Sequence, residues 1–242
     1  MDHLIYTAAS GASRTMQAQA VKANNLSNAN TTGFRADMNI ARQSAVGGDS
    51  FDGRTLVYSN TSKTKFTQGA LIETGRSLDA AINGSGFFAI EGAGGAEVYT
   101  RAGNFELDNE GALLLNGRPV IGEGGPIVIP ENRAIAINGQ GQILVTPPQG
   151  LGEIEAGRLK IVNPNPNNLY KDEQGFIRQR NGAVAPADET VQIAPGFLEG
   201  SNVSAIEELV GIMSLSRNFE MQIKVMKSAE TLAEAGNRLL RS

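Results

Sequence analysis

The sequence predicts an α+β protein in which long N- and C-terminal helices pack as a coiled coil, with a central antiparallel all-β domain between them in the chain. Three observations predict it. All nine prolines lie between Pro119 and Pro195, and 26 of the 29 glycines lie between Gly33 and Gly200, so the strongest helix breakers are confined to the middle. Apolar residues at both ends recur by three and four, the period of a helix seam. The middle carries short apolar or alternating runs bounded by turn residues, the pattern of an antiparallel β domain. The expected division is a helical part, residues 1–32 plus 204–242, an extended connector, 33–67, and a β domain, 68–203.

At the N-terminal end Asp2 is a candidate N-cap. From there Ile5, Ala9, Ala12, Met16, Gln19, Ala23 and Leu26 alternate by four and three, with Gln19 the one polar member. Most of these side chains are small, which lets a partner helix approach closely. The run Asn24-Asn25-Leu26-Ser27-Asn28 then competes with the helix through side-chain bonds to the backbone, and Gly33 supplies a stop. Residues 36–66 are rich in Ser, Thr, Gly and Asn and read as extended chain with one strand near Arg54-Thr55-Leu56-Val57-Tyr58.

The β domain follows. Phe87-Phe88-Ala89-Ile90, Val98-Tyr99-Thr100, Phe105-Glu106-Leu107, Leu113-Leu114-Leu115, Ile127-Val128-Ile129, Ile135-Ala136-Ile137, Ile143-Leu144-Val145, Leu159-Lys160-Ile161-Val162 and Val191-Gln192-Ile193 are strand candidates. Asn116-Gly117, Asn138-Gly139 and Asn181-Gly182 are hairpin signals, because Asn and Gly accept the positive φ of tight turns. At the C-terminal end Ser204-Ala205-Ile206-Glu207 reads as a capping box. Beyond it Leu209, Ile212, Ser216, Phe219, Ile223, Met226, Glu230, Ala233, Asn237 and Leu240 again alternate by three and four. Val210, Met213, Leu215, Val225, Leu232 and Leu239 widen the apolar surface beyond one seam, so this helix is expected to touch more than one neighbour. Full burial of so many side chains needs neighbours on several sides, and both ends are expected to order on joining an assembly.

Composition removes several function classes. Lys and Arg number 21 against 25 Asp and Glu, far from the dense basic stripe of a nucleic-acid binder. Cysteine is absent, which excludes disulfides, thiolate metal sites and a Cys nucleophile. The one histidine, His3, stands near the terminus with no visible partner. Gly84-Ser85-Gly86-Phe87-Phe88-Ala89 has the form of a dinucleotide fingerprint but leads into a β-like run where that motif must open a helix. Gly122-Glu123-Gly124-Gly125 lacks the Lys-Ser/Thr of a P-loop. The acid pairs Asp108 with Glu110 and Asp172 with Glu173 flank turn glycines, where solvated carboxylates are common. No catalytic residue, cofactor or metal ligand is expected. The N-terminus carries no basic segment followed by an apolar run, and no stretch approaches the ~18 apolar residues of a membrane span.

Three groups of residues resemble one family. Ala23-Asn24-Asn25-Leu26-Ser27-Asn28 with Thr32-Gly33-Phe34-Arg35 resembles the N-terminal signature of the bacterial flagellar rod and hook proteins. Gln68-Gly69-Ala70-Leu71, Thr74-Gly75-Arg76, Leu78-Asp79-Ala80-Ala81-Ile82, Gly84, Gly86-Phe87-Phe88 and Tyr99-Thr100-Arg101-Ala102-Gly103-Asn104-Phe105 resemble their central β module. Gly196, Leu198-Glu199, Ser201-Asn202-Val203, Glu208 and Arg217-Asn218-Phe219-Glu220 resemble their C-terminal signature. Within the family, Met1-Asp2-His3-Leu4-Ile5-Tyr6-Thr7, Val120-Ile121-Gly122-Glu123-Gly124-Gly125-Pro126-Ile127 and Phe219-Glu220-Met221-Gln222-Ile223-Lys224-Val225 are most similar to the proximal rod subunit, with the distal rod subunit as the alternative.

The resemblance implies a structural subunit of the basal-body rod, the drive shaft that transmits torque, with no catalytic residues. It implies export through the flagellar type III apparatus without a cleaved signal peptide, assembly in the periplasm, and contacts with other copies and neighbouring rod proteins, without membrane insertion. Helical polymers need heterologous contacts that do not close. The candidate subunit interface is Ile5, Ala9, Ala12, Met16, Ala23, Leu26, Leu209, Ile212, Phe219, Ile223, Met226 and Leu240. The competing class is a soluble secreted β-domain binding module or enzyme whose helices cap its own core.

Overall fold

The computed structural model of the chain describes residues 2–45, 55–132, 134–148, 150 and 152–239. The protein divides into two units. One contains residues 1–29, 37–65 and 203–242, the other 30–36 and 66–202.

The first unit holds helix α1, Asp2–Ser27, strands β1, Asp37–Ala45, and β2, Thr55–Thr64, and helix α2, Ala205–Leu239. α1 ends where the asparagines begin: Asn28 Nδ2 and Ser27 Oγ both donate to the Asn24 carbonyl, at 2.9 and 2.8 Å. At the start of α2 the hydroxyl half of the expected capping box is present, Glu207 N–H donating to Ser204 Oγ at 3.4 Å. β1 and β2 pair antiparallel from Asp37 opposite Thr64 to Ala45 opposite Thr55, with a bulge between Ile40 and Ala41. The stretch expected as a connector with one strand thus carries two long strands. The polar sequence of Asp37–Ala45 hides the first of them, since backbone pairing asks for no apolar alternation. Arg54, the start of the expected strand, lies outside the described residues.

The second unit is a set of small antiparallel sheets. Its strands are β3, Leu71–Glu73; β4, Ala80–Asn83; β5, Phe87–Glu91; β6, Glu97–Thr100; β7, Glu106–Leu107; β8, Leu113–Leu115; β9, Arg118–Pro119; β10, Ile121–Gly122; and β11, Gly125–Pro126. They continue with β12, Ala134–Ile137; β13, Gln142–Thr146; β14, Ile154–Arg158; β15, Ile161–Val162; β16, Leu169–Lys171; β17, Ile177–Gln179; β18, Gln192–Pro195; and β19, Phe197–Glu199. The widest sheet runs β15-β5-β6-β17-β16; β4 pairs with β18 and β3 with β19.

β5 explains why Phe87-Phe88-Ala89-Ile90 is a continuous apolar run. Phe88 and Ile90 enter the main core with Phe105, Leu113, Val120, Ile143 and Leu159, while Phe87 and Ala89 face a second cluster with Tyr99, Val162, Leu169 and Ile177. Both faces of the strand are buried. Phe88 and Phe105 meet edge to face at 5.2 Å between centroids. The Tyr99 hydroxyl accepts from the Ala185 N–H at 2.8 Å, and burial above all raises its pKa.

Of the expected hairpins, Asn116-Gly117 joins β8 to β9 with φ of 51° and 74°, the tight turn its sequence demands. Asn138-Gly139 lies in the β12–β13 turn, but the positive φ falls at Gly141. Asn181-Gly182 forms a turn after β17 and joins no paired strands. Ile127-Val128-Ile129, expected as a strand, is irregular, with Val128 in a single bridge to Ala112. Among the described residues no helix is long and apolar enough to cross a membrane.

Candidate functional site

Within the first unit α1 and α2 pack against each other, and the line of contact on α1 runs through Gly11, Thr15, Lys22 and Asn25. A Cβ built on Gly11 would stand 3.0 Å from the Gln222 amide, and one on Gly211 would stand 2.7 Å from the Lys22 side chain, so each glycine leaves room for a side chain of the other helix. Thr15 Oγ1 donates to the Gly11 carbonyl at 3.0 Å and lies 3.4 Å from Gln222 Oε1. Lys22 Nζ meets Glu208 Oε2 at 2.9 Å, and Asn25 Nδ2 donates to Glu208 Oε1 at 3.2 Å. Asn25, 2% exposed, also brackets the first residue of β1: it donates to the Asp37 carbonyl and accepts from the Asp37 N–H, each at 2.9 Å. The hydrogen bonds and the ion pair of this contact join small and polar side chains, with apolar residues interleaved.

The apolar seam read from the sequence lies beside this line. On α1 the sequence seam is one residue out of step with the contact, Ala12 against Gly11, Met16 against Thr15, Ala23 against Lys22 and Leu26 against Asn25, which is about 100° of rotation. Ala12 is buried, Ile5 and Leu26 are half-buried, and Ala9, Met16 and Ala23 are exposed. On α2 every second member coincides: Ile212, Phe219 and Met226 are half-buried, whereas Leu209 and Ile223 are exposed. Leu240 lies outside the described residues. The contact positions of α2, Glu208, Leu215, Gln222 and the buried Ala229, alternate with those shared residues.

Outside the contact, α2 carries largely exposed apolar side chains. Ile206, Val210, Met213, Met221 and Leu232 are all more than half exposed, Ile206 reaching 77%.

The second unit contains a buried charge cluster that sequence spacing did not reveal. Glu199, at the end of β19, is fully buried. Its Oε1 lies 2.6 Å from Arg35 Nη1 and accepts from the Gly69 N–H at 2.8 Å; its Oε2 accepts from Arg101 Nη1 at 2.9 Å; its backbone carbonyl accepts from the Gly33 N–H at 2.7 Å. Arg101 also donates to the carbonyls of Ile82 and Gly84. Burial first, then the charge of Arg35, pushes the Arg101 pKa down to about 10 against the pull of Glu199, so the group is still a cation at neutral pH. Beside the cluster, Asn202 Oδ1 accepts from the Ala36 N–H at 2.7 Å, and its Nδ2 donates to the Thr67 carbonyl at 2.9 Å. Gly33 has φ +69°, and a Cβ there would fall 2.2 Å from the Ala102 nitrogen, so chain crowding and backbone angle both demand glycine. The resemblance had named these residues in three separate groups; the fold brings the groups to one place.

The acid pairs weighed for chemistry serve turns. Asp108 Oδ1 accepts from the N–H groups of Glu110 and Ala112, and Asp172 Oδ1 from those of Gln174 and Phe176, with Arg178 held on Asp172 Oδ2 at 2.8 Å. Among the described residues no group of three or more His, Cys, Asp or Glu side chains is placed to hold a metal ion.

Three family models match the chain in order: flagella basal body rod protein over residues 5–35, flagellar hook protein FlgE/F/G D1 domain over 81–145, and flagellar basal body rod FlgEFG protein C-terminal over 194–239. The chain is 42% identical to the flagellar basal-body rod protein FlgF of Salmonella typhimurium and 41% identical to that of Escherichia coli, in each case over 99% of both chains. It is 29% identical to the flagellar basal-body rod protein FlgG of Bacillus subtilis, over 95% of this chain and 96% of that one. The chain belongs to the flagellar basal-body rod protein family and is FlgF-like.

Proposed function

We propose that this chain is a structural subunit of the flagellar basal-body rod whose terminal helices pack, as a coiled-coil layer, with those of other copies and of neighbouring rod proteins. One observation carries the reading: with one face of α2 on α1, Ile206, Val210, Met213, Met221 and Leu232 remain more than half exposed. Burying a side chain of that size contributes about 1.5 to 3 kcal/mol, which a single chain forgoes and a polymer recovers. Of the predicted interface residues, Ala9, Met16, Ala23, Leu209 and Ile223 are exposed and would be free for such contacts, while Ile5, Ala12, Leu26, Ile212, Phe219 and Met226 are half-buried or buried.

The 41–42% identity to two FlgF proteins, against 29 and 32% to two FlgG proteins, supports a proximal over a distal position in the rod. A periplasmic location, export by the flagellar type III apparatus and a non-catalytic role belong to the same proposal. Deleting the gene and imaging basal bodies tests it: loss of rod and filament in otherwise healthy cells is expected, and intact rods would refute it.

A further inference from the structure

The clamp formed by Arg35, Arg101, Glu199 and Asn202 lies at a particular place in the chain path. The chain passes between the two units four times, at residues 29/30, 36/37, 65/66 and 202/203. The segments on the β side of those passages are 30–36, the stretch beginning at Phe66, and the stretch ending at Asn202. Each is tied to the clamp: Gly33 and Arg35 to Glu199, Gly69 to Glu199, and Ala36 and Thr67 to the Asn202 side chain. Asn202 N–H donates to the Phe34 carbonyl, and Lys171 Nζ holds the Arg35 carbonyl at 2.9 Å while lying 4.2 Å from the centre of the Phe34 ring.

Stability alone does not account for such a cluster. Two cations share one carboxylate in a site where all three side chains are at least 97% buried, and among the described residues Arg35 Nε and Nη2 and Arg101 Nε have no hydrogen-bond partner. Buried ion pairs of this kind are often no better for stability than apolar side chains of the same volume. What they supply is direction, because each charged bond is satisfied at one geometry only.

We infer that Arg35, Arg101, Glu199 and Asn202 are positioning residues that hold three segments of the β unit, residues 30–36, the stretch beginning at Phe66 and the stretch ending at Asn202, in one frame, so that the unit keeps its shape under load. The inference rests on the rod reading, and its first measurement does not. Amide exchange on the purified full chain compares wild type with Asn202→Ala, Arg35→Lys and Glu199→Gln. Asn202→Ala and Arg35→Lys keep a folded chain within reach where Glu199→Gln strands two buried cations. Expected is an acceleration of about tenfold or more at Gly33, Ala36 and Gly69, with Ala89, Val98 and Leu113 changed by less than about twofold.

The second measurement is swimming speed in a viscous medium. The control is Val145→Ala, a core truncation chosen to match the variants in melting temperature. The clamp variants are expected to assemble rods and to lose more speed under viscous load than the control. Uniform acceleration across the β unit, or equal speed loss in clamp and control variants, would overturn the inference. Intact rods in the deletion strain would refute the rod reading with the exchange result still standing.

Discussion

The two units solve opposite problems. The β unit buries Phe88, Phe105, Leu113, Ile143 and Leu159 in a core of its own and even encloses a charged trio. The helical unit joins its helices through Gly11, Thr15, Lys22, Asn25, Glu208 and Gln222 and leaves much of its apolar surface outside. One unit encloses its apolar side chains within the chain; the other leaves Ile206, Val210, Met213, Met221 and Leu232 more than half exposed. On the proposed rod reading, the separation leaves that exposed helical surface for assembly.

The contrast can be broken at several depths. The largest effect is expected in the β core: Phe105→Ala removes a fully buried ring and should cost about 3 to 5 kcal/mol in denaturant unfolding of the purified chain. Gly33→Ala comes next, since a left-handed φ and a backbone neighbour 2.2 Å away both penalise the methyl; about 1 to 3 kcal/mol is expected, read from the same titration. Lys22→Met removes a partly exposed ion pair with Glu208 and should cost only about 0.2 to 1 kcal/mol, a difference that shrinks as salt is raised.

Val210→Asp should be the mildest of all in the dilute chain, within about 0.5 kcal/mol of wild type, because the side chain is 60% exposed. In cells the same substitution should abolish swimming. Normal motility would show that the outward face of α2 meets nothing.

Much of this was legible in the sequence, and the limits have physical causes. Breaker-free ends flanking a Gly- and Pro-rich middle marked both helices, and Asn116-Gly117 marked its hairpin because the residue pair dictates the backbone angles. Strands β14 and β17 were missed, since Ile154-Glu155-Ala156-Gly157-Arg158 and Ile177-Arg178-Gln179 carry no alternation to see. The polar part of the helix contact, Thr15, Lys22, Asn25, Glu208 and Gln222, has no apolar period to mark it. The clamp escaped because Arg101 and Glu199 stand 98 residues apart, a separation that only the folded chain closes.

The most direct test of the central contrast is amide exchange on the dilute full chain, followed through polymerisation. The account predicts that amides of α2 between Leu209 and Met226 exchange far faster than those of the strands around Phe87 and Phe105 in the monomer, and become protected on assembly. Equal protection of helices and strands in the monomer would contradict it.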